Sequence, residues 1–164
     1  ARPIASLLVI SLGQGALVFL GAWGAARGEV ASLVSPTGLA GMVVAALLVL
    51  SFYPLTQIYQ IDEDRARGDR TLAVAWGPVA CFAVAIVCQL AGGLALVALL
   101  YARYGLADAL VVGAGLLGQV VILLRWAAHF APGRIVWNYR RVLLLNVAAG
   151  GGLGLYFIAR LLLR

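Results

Sequence analysis

Long apolar runs alternate with short polar segments along the chain. A helix that crosses the hydrocarbon core of a bilayer needs about 20 predominantly apolar residues. Five runs meet that length and predict five transmembrane helices, at residues 3–24, 36–60, 77–103, 106–126 and 140–162. The pattern therefore predicts an all-α protein, a polytopic transmembrane helical bundle that forms a single domain over residues 1–164.

The composition supports this prediction. Of 164 residues, 64% are hydrophobic and 11% are charged, whereas soluble domains have about 45–50% apolar and about 25% charged residues. These values exclude an ordinary water-soluble protein, and the high hydrophobicity also excludes intrinsic disorder. The net charge is +6, but the basic residues lie between apolar runs, not on one solvated face, so no nucleic-acid partner is expected.

The arginines predict an orientation, because successive loops face opposite sides of a membrane. The loops on one side contain eight of them, namely Arg2, Arg65, Arg67, Arg70, Arg125, Arg134, Arg140 and Arg141. The other side collects four, namely Arg27, Arg103, Arg160 and Arg164. Cytoplasmic loops carry the excess of basic residues. Residues 59–76 are therefore predicted to be a cytoplasmic loop of a multi-pass protein in the cell inner membrane.

This 59–76 segment is also where candidate chemistry concentrates. It holds four of the six acidic residues of the chain, interleaved with three arginines. One interpretation is a solvated loop with the usual cytoplasmic arginines. The other is a site for a Mg²⁺-diphosphate, because Mg²⁺ binds one or two carboxylates plus substrate phosphates and arginine forks bind phosphate oxygens.

The helix that precedes this segment favours the second interpretation. Tyr53, Gln57, Gln60 and Asp64 recur at the spacing of one helical stripe. Polar residues inside a membrane are costly unless they face a cavity or a partner. Pro54 lies in the same turn and permits a kink. The stripe therefore predicts one wall of a pocket that leads to the acidic residues.

Residues 53–72 resemble the second aspartate-rich motif of the UbiA-type intramembrane prenyltransferases. That family has a D-x-x-x-D pair followed by x-x-x-G, then a basic residue, Thr and Leu. Gly68, Arg70 and Thr71-Leu72 match the later positions, and Asp64 matches the second aspartate. The first aspartate position is Gln60 here, a departure from the common pattern.

The resemblance also implies a topology. The family has nine membrane helices, with this motif in the cytoplasmic loop between the sixth and the seventh, so the five predicted helices resemble helices five to nine. The family's first motif, N-x-x-x-D-x-x-x-D, has no match in the chain, which begins Ala1-Arg2-Pro3. The expectation is a C-terminal half, with the first motif encoded upstream.

The function that the resemblance implies is Mg²⁺-dependent transfer of an isoprenoid chain from a prenyl diphosphate to an aromatic or lipid acceptor in the membrane. Asp64, Glu63 and Asp62 are then the candidate catalytic and Mg²⁺-ligating residues. The candidate substrate-binding residues are Arg65, Arg67, Arg70, Gln60, Gln57, Tyr53 and Gln14. The alternative is a non-catalytic membrane protein or a transporter fragment, in which the acidic loop serves gating or orientation.

Four carboxamide side chains lie inside apolar runs, namely Gln14, Gln89, Gln119 and Asn146. Hydrogen bonds between helices are the expected role for each. Gln14 is the best pocket candidate among them, because its helix immediately precedes the helix that leads to the motif.

Overall fold

The computed structural model describes residues 3–28 and 30–163, and this part of the chain is helical with no strands. Arg2, Arg164 and Ala1, which enter the predictions above, lie outside the described residues. We number the helices α1 (Pro3–Arg27), α2 (Pro36–Gln57), α3 (Ile61–Ala66), α4 (Leu72–Tyr104), α5 (Leu106–Ala128) and α6 (Ile135–Leu162). A short 3₁₀ segment, Val30–Val34, lies between α1 and α2.

Five of these helices, all except α3, are long and apolar enough to cross a membrane. The five predicted spans are thereby confirmed in number, and they fit a multi-pass membrane protein. Large apolar side chains such as Val79, Leu94 and Leu144 are more than half exposed. Such a surface suits lipid, in which backbone groups must be satisfied within helices.

The end of α2 differs from the prediction. Its start is as expected, since Pro36 is the first residue and Ser35 Oγ accepts a hydrogen bond from the Gly38 amide at 3.1 Å. The helix ends at Gln57, however, and not at residue 60. Ile58 to Gln60 form a turn, after which α3 begins. The predicted loop 59–76 therefore contains a short helix of its own and the first turn of α4.

Helix α4 is broken near its start. Thr71 precedes it and accepts a hydrogen bond from the Val74 amide at 3.4 Å. Gly77 has φ 80° and ψ 173°, and Pro78 follows it. A positive φ suits glycine, and proline suits the first turn of a new helical segment. The predicted start at residue 77 thus coincides with the break, and a helical turn precedes it.

Helix α1 contains a π-helical segment, Ser11–Leu17. Its Gly15 packs against α2 so closely that a Cβ atom there would lie 2.5 Å from Ala46 Cα. Ser11 Oγ also donates to the Ala46 carbonyl at 3.3 Å. The backbones of α1 and α2 therefore approach each other at a glycine, as membrane helices commonly do.

The main core lies at the end of the bundle that carries α3, which we call the motif end. Trp126 is fully buried there and packs edge-on against Phe82, with ring centroids 5.1 Å apart. Its Nε1 donates to Asn138 Oδ1 at 3.2 Å, and Asn138 Nδ2 donates to the Ala131 carbonyl at 3.0 Å. Helix α6 begins at Ile135, earlier than the predicted 140, which brings Asn138 into this contact.

The far end of the bundle is tied together by a smaller polar cluster. Asp108 Oδ1 accepts a hydrogen bond from Tyr156 Oη at 2.7 Å. It also forms an ion pair with Arg160 Nε at 3.4 Å. The Arg160 guanidinium lies 4.7 Å from the centre of the Tyr104 ring. These contacts join the ends of α4, α5 and α6 on the side opposite the motif.

Candidate functional site

The acidic residues are carried by α3, which the turn after Gln57 places at the motif end. Asp62, Glu63 and Asp64 occupy its first turn. Carboxylates near a helix N-terminus are stabilised by the exposed amides there. Asp62 and Glu63 have exposed side chains, while the side chain of Asp64 is only 5% exposed. On this short helix, the carboxylates of Asp62 and Glu63 therefore face solvent, and the carboxylate of Asp64 is buried.

Arg67 lies at the centre of this group. Its Nη2 donates to Asp64 Oδ1 at 2.6 Å and its Nη1 donates to Glu63 Oε1 at 2.7 Å. Its Nε faces Asp69 Oδ2 at 3.4 Å. The hydrogen bond to Asp64, followed by the charges of the other carboxylates, raises the pKa of the Arg67 guanidinium. One cation thus contacts three of the four acidic side chains of the segment.

The other two arginines of the segment are placed differently. Arg65 Nη1 pairs with Asp62 Oδ1 at 3.1 Å in an exposed ion pair, and such pairs contribute little stability. Arg70 is exposed and makes no ion pair with a described residue. These two guanidinium groups are therefore the more available for an anionic ligand.

A cavity of about 410 Å³ adjoins α3, and we call it the motif cavity. Asp62, Glu63 and Arg65 line it on the charged side. Its apolar lining comes from the turn before α3, from both sides of the break in α4 and from the start of α6, and includes Ile58, Val74, Pro78 and Ile135. A site with charges at one wall and apolar side chains at the others suits a ligand with an ionic head and an apolar tail.

Gln57 has a structural role at the motif end. Its Oε1 accepts hydrogen bonds from the Leu72 amide at 3.0 Å and the Ala73 amide at 3.4 Å. Its side chain is buried, and its Nε2 has no hydrogen-bond partner among the described residues. The first amides of a helix lack partners within the helix, so Gln57 ties the end of α2 to the start of α4.

The predicted polar stripe is consequently split. Tyr53 and Gln57 lie on α2, but the turn at Ile58 to Gln60 interrupts the helix before Asp64. Tyr53 lines a second cavity, which is separate from the motif cavity. The expectation of one continuous wall from Tyr53 to Asp64 was therefore wrong, because the chain changes direction after Gln57.

This second cavity, of about 330 Å³, lies among the spanning helices, and we call it the intramembrane cavity. Its polar lining residues are Gln14, Tyr53, Thr56, Gln89, Gln119 and Asn146. Gln14 lines this cavity and not the motif cavity. Gln89, Gln119 and Asn146 were predicted to bond between helices, and their place in this cavity was missed; their position in apolar runs was the available signal.

Helix α3 carries three carboxylates, the type of side chain that binds Mg²⁺ in proteins. Among the described residues, no group of three or more His, Cys, Asp or Glu side chains is arranged to hold a metal ion. Mg²⁺ commonly takes one or two protein carboxylates, waters and substrate phosphates. Asp62 and Glu63 supply exposed carboxylates beside the motif cavity, each paired with one arginine, whereas Asp64 is enclosed and paired with Arg67.

No protein-family model, no curated protein and no solved structure matches the chain.

Proposed function

We propose that this chain forms the diphosphate-binding half of an intramembrane prenyltransferase that resembles the UbiA type. The observation that carries the proposal is the motif cavity, where Asp62, Glu63 and Arg65 lie beside apolar residues at the end of a membrane-spanning bundle. A prenyl diphosphate has the matching chemistry, an anionic head on an apolar chain. The resemblance of residues 53–72 supplies the reaction class.

In the proposed reaction, the bond between the first carbon of the isoprenoid and its diphosphate oxygen breaks. A new bond forms from that carbon to the acceptor, which loses a proton, and diphosphate leaves with the electron pair. Bound Mg²⁺ supplies positive charge that stabilises the departing diphosphate. Glu63, Asp62 and Asp64 are the residues that would hold it.

The arginines of the segment supply the remaining positive charge. Arg65 on α3 and Arg70 after it are exposed, and a guanidinium can make two parallel hydrogen bonds to a phosphate. The apolar walls of the motif cavity offer a surface for the isoprenoid chain, and exclusion of water from the allylic carbon would protect a carbocation from hydrolysis. Gln57 and Thr71 hold the start of α4 and thereby fix one wall of the cavity.

The test is transfer of a labelled prenyl group by the complete reading frame that contains this sequence, assayed in membranes with Mg²⁺. Asp64→Ala is expected to lower turnover by about 10²–10³, the usual cost of removing a group that stabilises charge in a transition state. Asp69→Ala, outside the motif positions, is the matched control and should cost far less. Gln60→Asp restores the common motif and should retain activity.

Asp64 is buried against Arg67, so loss of folding must be separated from loss of function. Asp64→Asn keeps the shape of the side chain and should show the same loss of turnover with a normal melting curve. Residues 1–164 expressed alone should show no transfer, because the first aspartate-rich motif is not among them. Unchanged turnover and Mg²⁺ dependence in folded Asp64→Ala would refute the proposal.

A further inference from the structure

The far end of the bundle carries charged side chains that the proposed reaction does not use. Asp108 lies in the first turn of α5 and Arg160 in the last turn of α6. Their side chains are only 13% and 34% exposed. A buried ion pair is commonly no more stabilising than apolar side chains of the same size, and charged residues within membrane spans commonly mark a functional site. This ion pair therefore needs a reason beyond stability.

Gln89 and Gln119 show how polar groups inside the spans are ordinarily satisfied. Gln89 Nε2 donates to Gln119 Oε1 at 2.8 Å, and Gln89 Oε1 lies 2.8 Å from the Ser51 hydroxyl. The predicted hydrogen bonds between helices are thereby confirmed for Gln89 and Gln119. Asn146 bonds the Val142 carbonyl of its own helix instead. Such hydrogen bonds within the bundle are the usual role of polar side chains in membrane helices.

Arg160 is not satisfied in this way. Its Nε lies 3.4 Å from Asp108 Oδ1 but makes no hydrogen bond, and its other N–H groups make none with a described residue. The guanidinium packs on the Tyr104 ring, 4.7 Å from the ring centre. Asp108 Oδ1 accepts the hydrogen bond from Tyr156 Oη, whereas Oδ2 accepts none from a described residue. Because a guanidinium has five N–H donors, the pair is positioned by its neighbours but retains unused donors and an unused acceptor.

A cavity of about 220 Å³ adjoins this pair, and we call it the far-end cavity. Asp108, Tyr156 and Arg160 are its polar lining. The remaining described lining residues are apolar, namely Ala107, Val111, Ala159 and Leu163. Val111 and Leu163 are more than half exposed, so the cavity adjoins the lipid-facing surface. Its volume is below the roughly 300–1,000 Å³ of a pocket that encloses a whole small molecule, and it suits a headgroup whose chains remain in the bilayer.

We propose that the far-end cavity binds the headgroup of an aminophospholipid, a phosphate that carries a primary ammonium group. The Arg160 guanidinium donates two hydrogen bonds to the phosphate, and Asp108 Oδ2 accepts one from the ammonium. The charges of the ion pair cancel, as do those of this zwitterionic headgroup, so no unpaired ion is left in the membrane. A purely anionic headgroup would leave the Asp108 carboxylate beside a phosphate with no cation between them.

The inference does not depend on the proposed function. The far-end cavity shares no lining residue with the motif cavity, and its charges lie on α5 and α6 and not on α3. Lipid binding at the far end therefore stands or fails whether or not prenyl transfer is found.

The experiment measures binding of three phospholipids with the same dioleoyl chains to the complete protein, delipidated in detergent, by native mass spectrometry. Phosphatidylethanolamine should bind about tenfold more tightly than phosphatidylcholine, whose trimethylammonium group has no N–H donor, as expected for one charge-assisted hydrogen bond. It should also bind more tightly than phosphatidylglycerol, which has no cation. Equal binding of phosphatidylethanolamine and phosphatidylcholine, or tighter binding of phosphatidylglycerol, would overturn the proposal.

Two variants assign the headgroup contacts. Arg160→Gln should weaken binding of all three lipids, and that of phosphatidylethanolamine by about tenfold or more. Asp108→Asn keeps an oxygen acceptor for Tyr156 and should remove the preference for phosphatidylethanolamine over phosphatidylcholine. Arg103→Gln is the control and should bind like wild type, because Arg103 lies over the same Tyr104 ring, at 5.5 Å, but does not line the cavity. A loss in Arg103→Gln as large as in Arg160→Gln would reduce the effect to general attraction by basic residues and contradict the proposal.

A third variant separates loss of the site from loss of folding. Ala107 lines the cavity and is exposed, so Ala107→Trp should fill the cavity, keep the wild-type melting temperature and weaken phosphatidylethanolamine binding. Ala102→Trp adds the same bulk at an exposed position on α4 that does not line the cavity, and should bind like wild type. If folded Ala107→Trp binds phosphatidylethanolamine as the wild type does, the headgroup does not occupy this cavity and the inference fails.

A last measurement distinguishes a lipid from a soluble phosphate compound. Glycerophosphoethanolamine has the same headgroup without acyl chains, and each buried methylene of a chain adds to affinity, so about a hundredfold excess should leave bound phosphatidylethanolamine in place. Displacement of the lipid at this excess would assign the far-end cavity to a soluble ligand and overturn the proposal.

Discussion

The guanidinium of Arg67 lies 2.6 Å from the carboxylate of Asp64, the residue that matches the aspartate of the motif. Asp64 is almost fully enclosed, but the side chain of Arg67 is 53% exposed. A carboxylate that accepts this hydrogen bond is less available to a divalent cation. Of the two side chains, only that of Arg67 borders solvent.

Replacement of Arg67 should therefore move two affinities in opposite directions. Arg67→Gln frees Glu63, Asp64 and Asp69 from their shared cation and should tighten Mg²⁺ binding to the substrate-free protein by roughly tenfold. The same change should weaken binding of a prenyl diphosphate without Mg²⁺ by a similar factor, since a charge-assisted hydrogen bond contributes about 1.5–3 kcal/mol. Titration calorimetry with each ligand measures both.

Arg65→Gln is the control for the Mg²⁺ titration. Arg65 bonds only Asp62 among the acidic residues, in an exposed pair, so Mg²⁺ affinity should change little. If Arg67→Gln weakens both ligands to the same degree, its role is to maintain the shape of α3 and not to compete with the cation.

The side of the membrane on which α3 lies is open to a direct test. Ala66 is the last residue of α3 and is exposed. A single cysteine at this position, in a background with Cys81 and Cys88 replaced, should react with a membrane-impermeant maleimide only after the inner face is opened. Reaction in intact cells would place the motif end outside and contradict the orientation predicted from the arginines.

The Trp126–Asn138 contact should dominate the stability of the motif end. Asn138→Ala removes both the acceptor for Trp126 Nε1 and the donor to the Ala131 carbonyl, each buried or partly buried. A buried polar group left unpaired costs about 1–3 kcal/mol. Thermal unfolding in detergent should show a clear loss, whereas Asn146→Ala, which breaks only a bond within its own helix, should unfold close to wild type.

Tyr59 should make the protein sensitive to alkaline pH. Burial, and then the neighbouring Tyr139, raise the pKa of Tyr59 above its ordinary value of 10.0. The folded state therefore holds the phenol proton more tightly than the unfolded state. Its contribution to stability is fully present below about pH 10 and is lost as the pH rises through the folded-state pKa.

Tyr59→Phe cannot lose a proton and should reduce this alkaline loss. Melting temperatures at about pH 9 and about pH 11 measure it. Between these two pH values the melting temperature should fall less in Tyr59→Phe than in the wild-type protein. A fall of equal size in both proteins would show that other groups control the alkaline transition.

The sequence was sufficient for the five spans, because apolar length is a local property that lipid alone dictates. It failed where tertiary contacts decide the structure. Trp126 has the sequence position of an interfacial aromatic, yet it is buried, because the early start of α6 brings Asn138 to its indole nitrogen. A position near the end of a span does not by itself show whether a tryptophan is exposed or buried.

The candidate site was also predicted from the sequence only in part. The acidic and basic residues of 59–76 do meet at one end of the bundle, as their closeness in sequence requires. Periodicity had no means of detecting the turn after Gln57, whose side chain accepts hydrogen bonds from the first amides of α4. The intramembrane cavity was equally hidden, since its polar residues come from five separate helices.

The π-helical segment Ser11–Leu17 makes the length of α1 as important as its composition. A π turn holds an extra residue relative to an α turn, because its hydrogen bonds join residues five apart. Deletion of one residue there would remove the extra residue and restore α pairing, so the parts of α1 on either side would keep their faces and Leu7 would stay in the core. A deletion in the α-helical parts of α1 would instead rotate all that precedes it by about 100°. The π-helical segment should therefore tolerate the loss of one residue, and substitution at a lipid-facing position such as Leu12, 57% exposed, whereas the α-helical parts of α1 should tolerate no deletion.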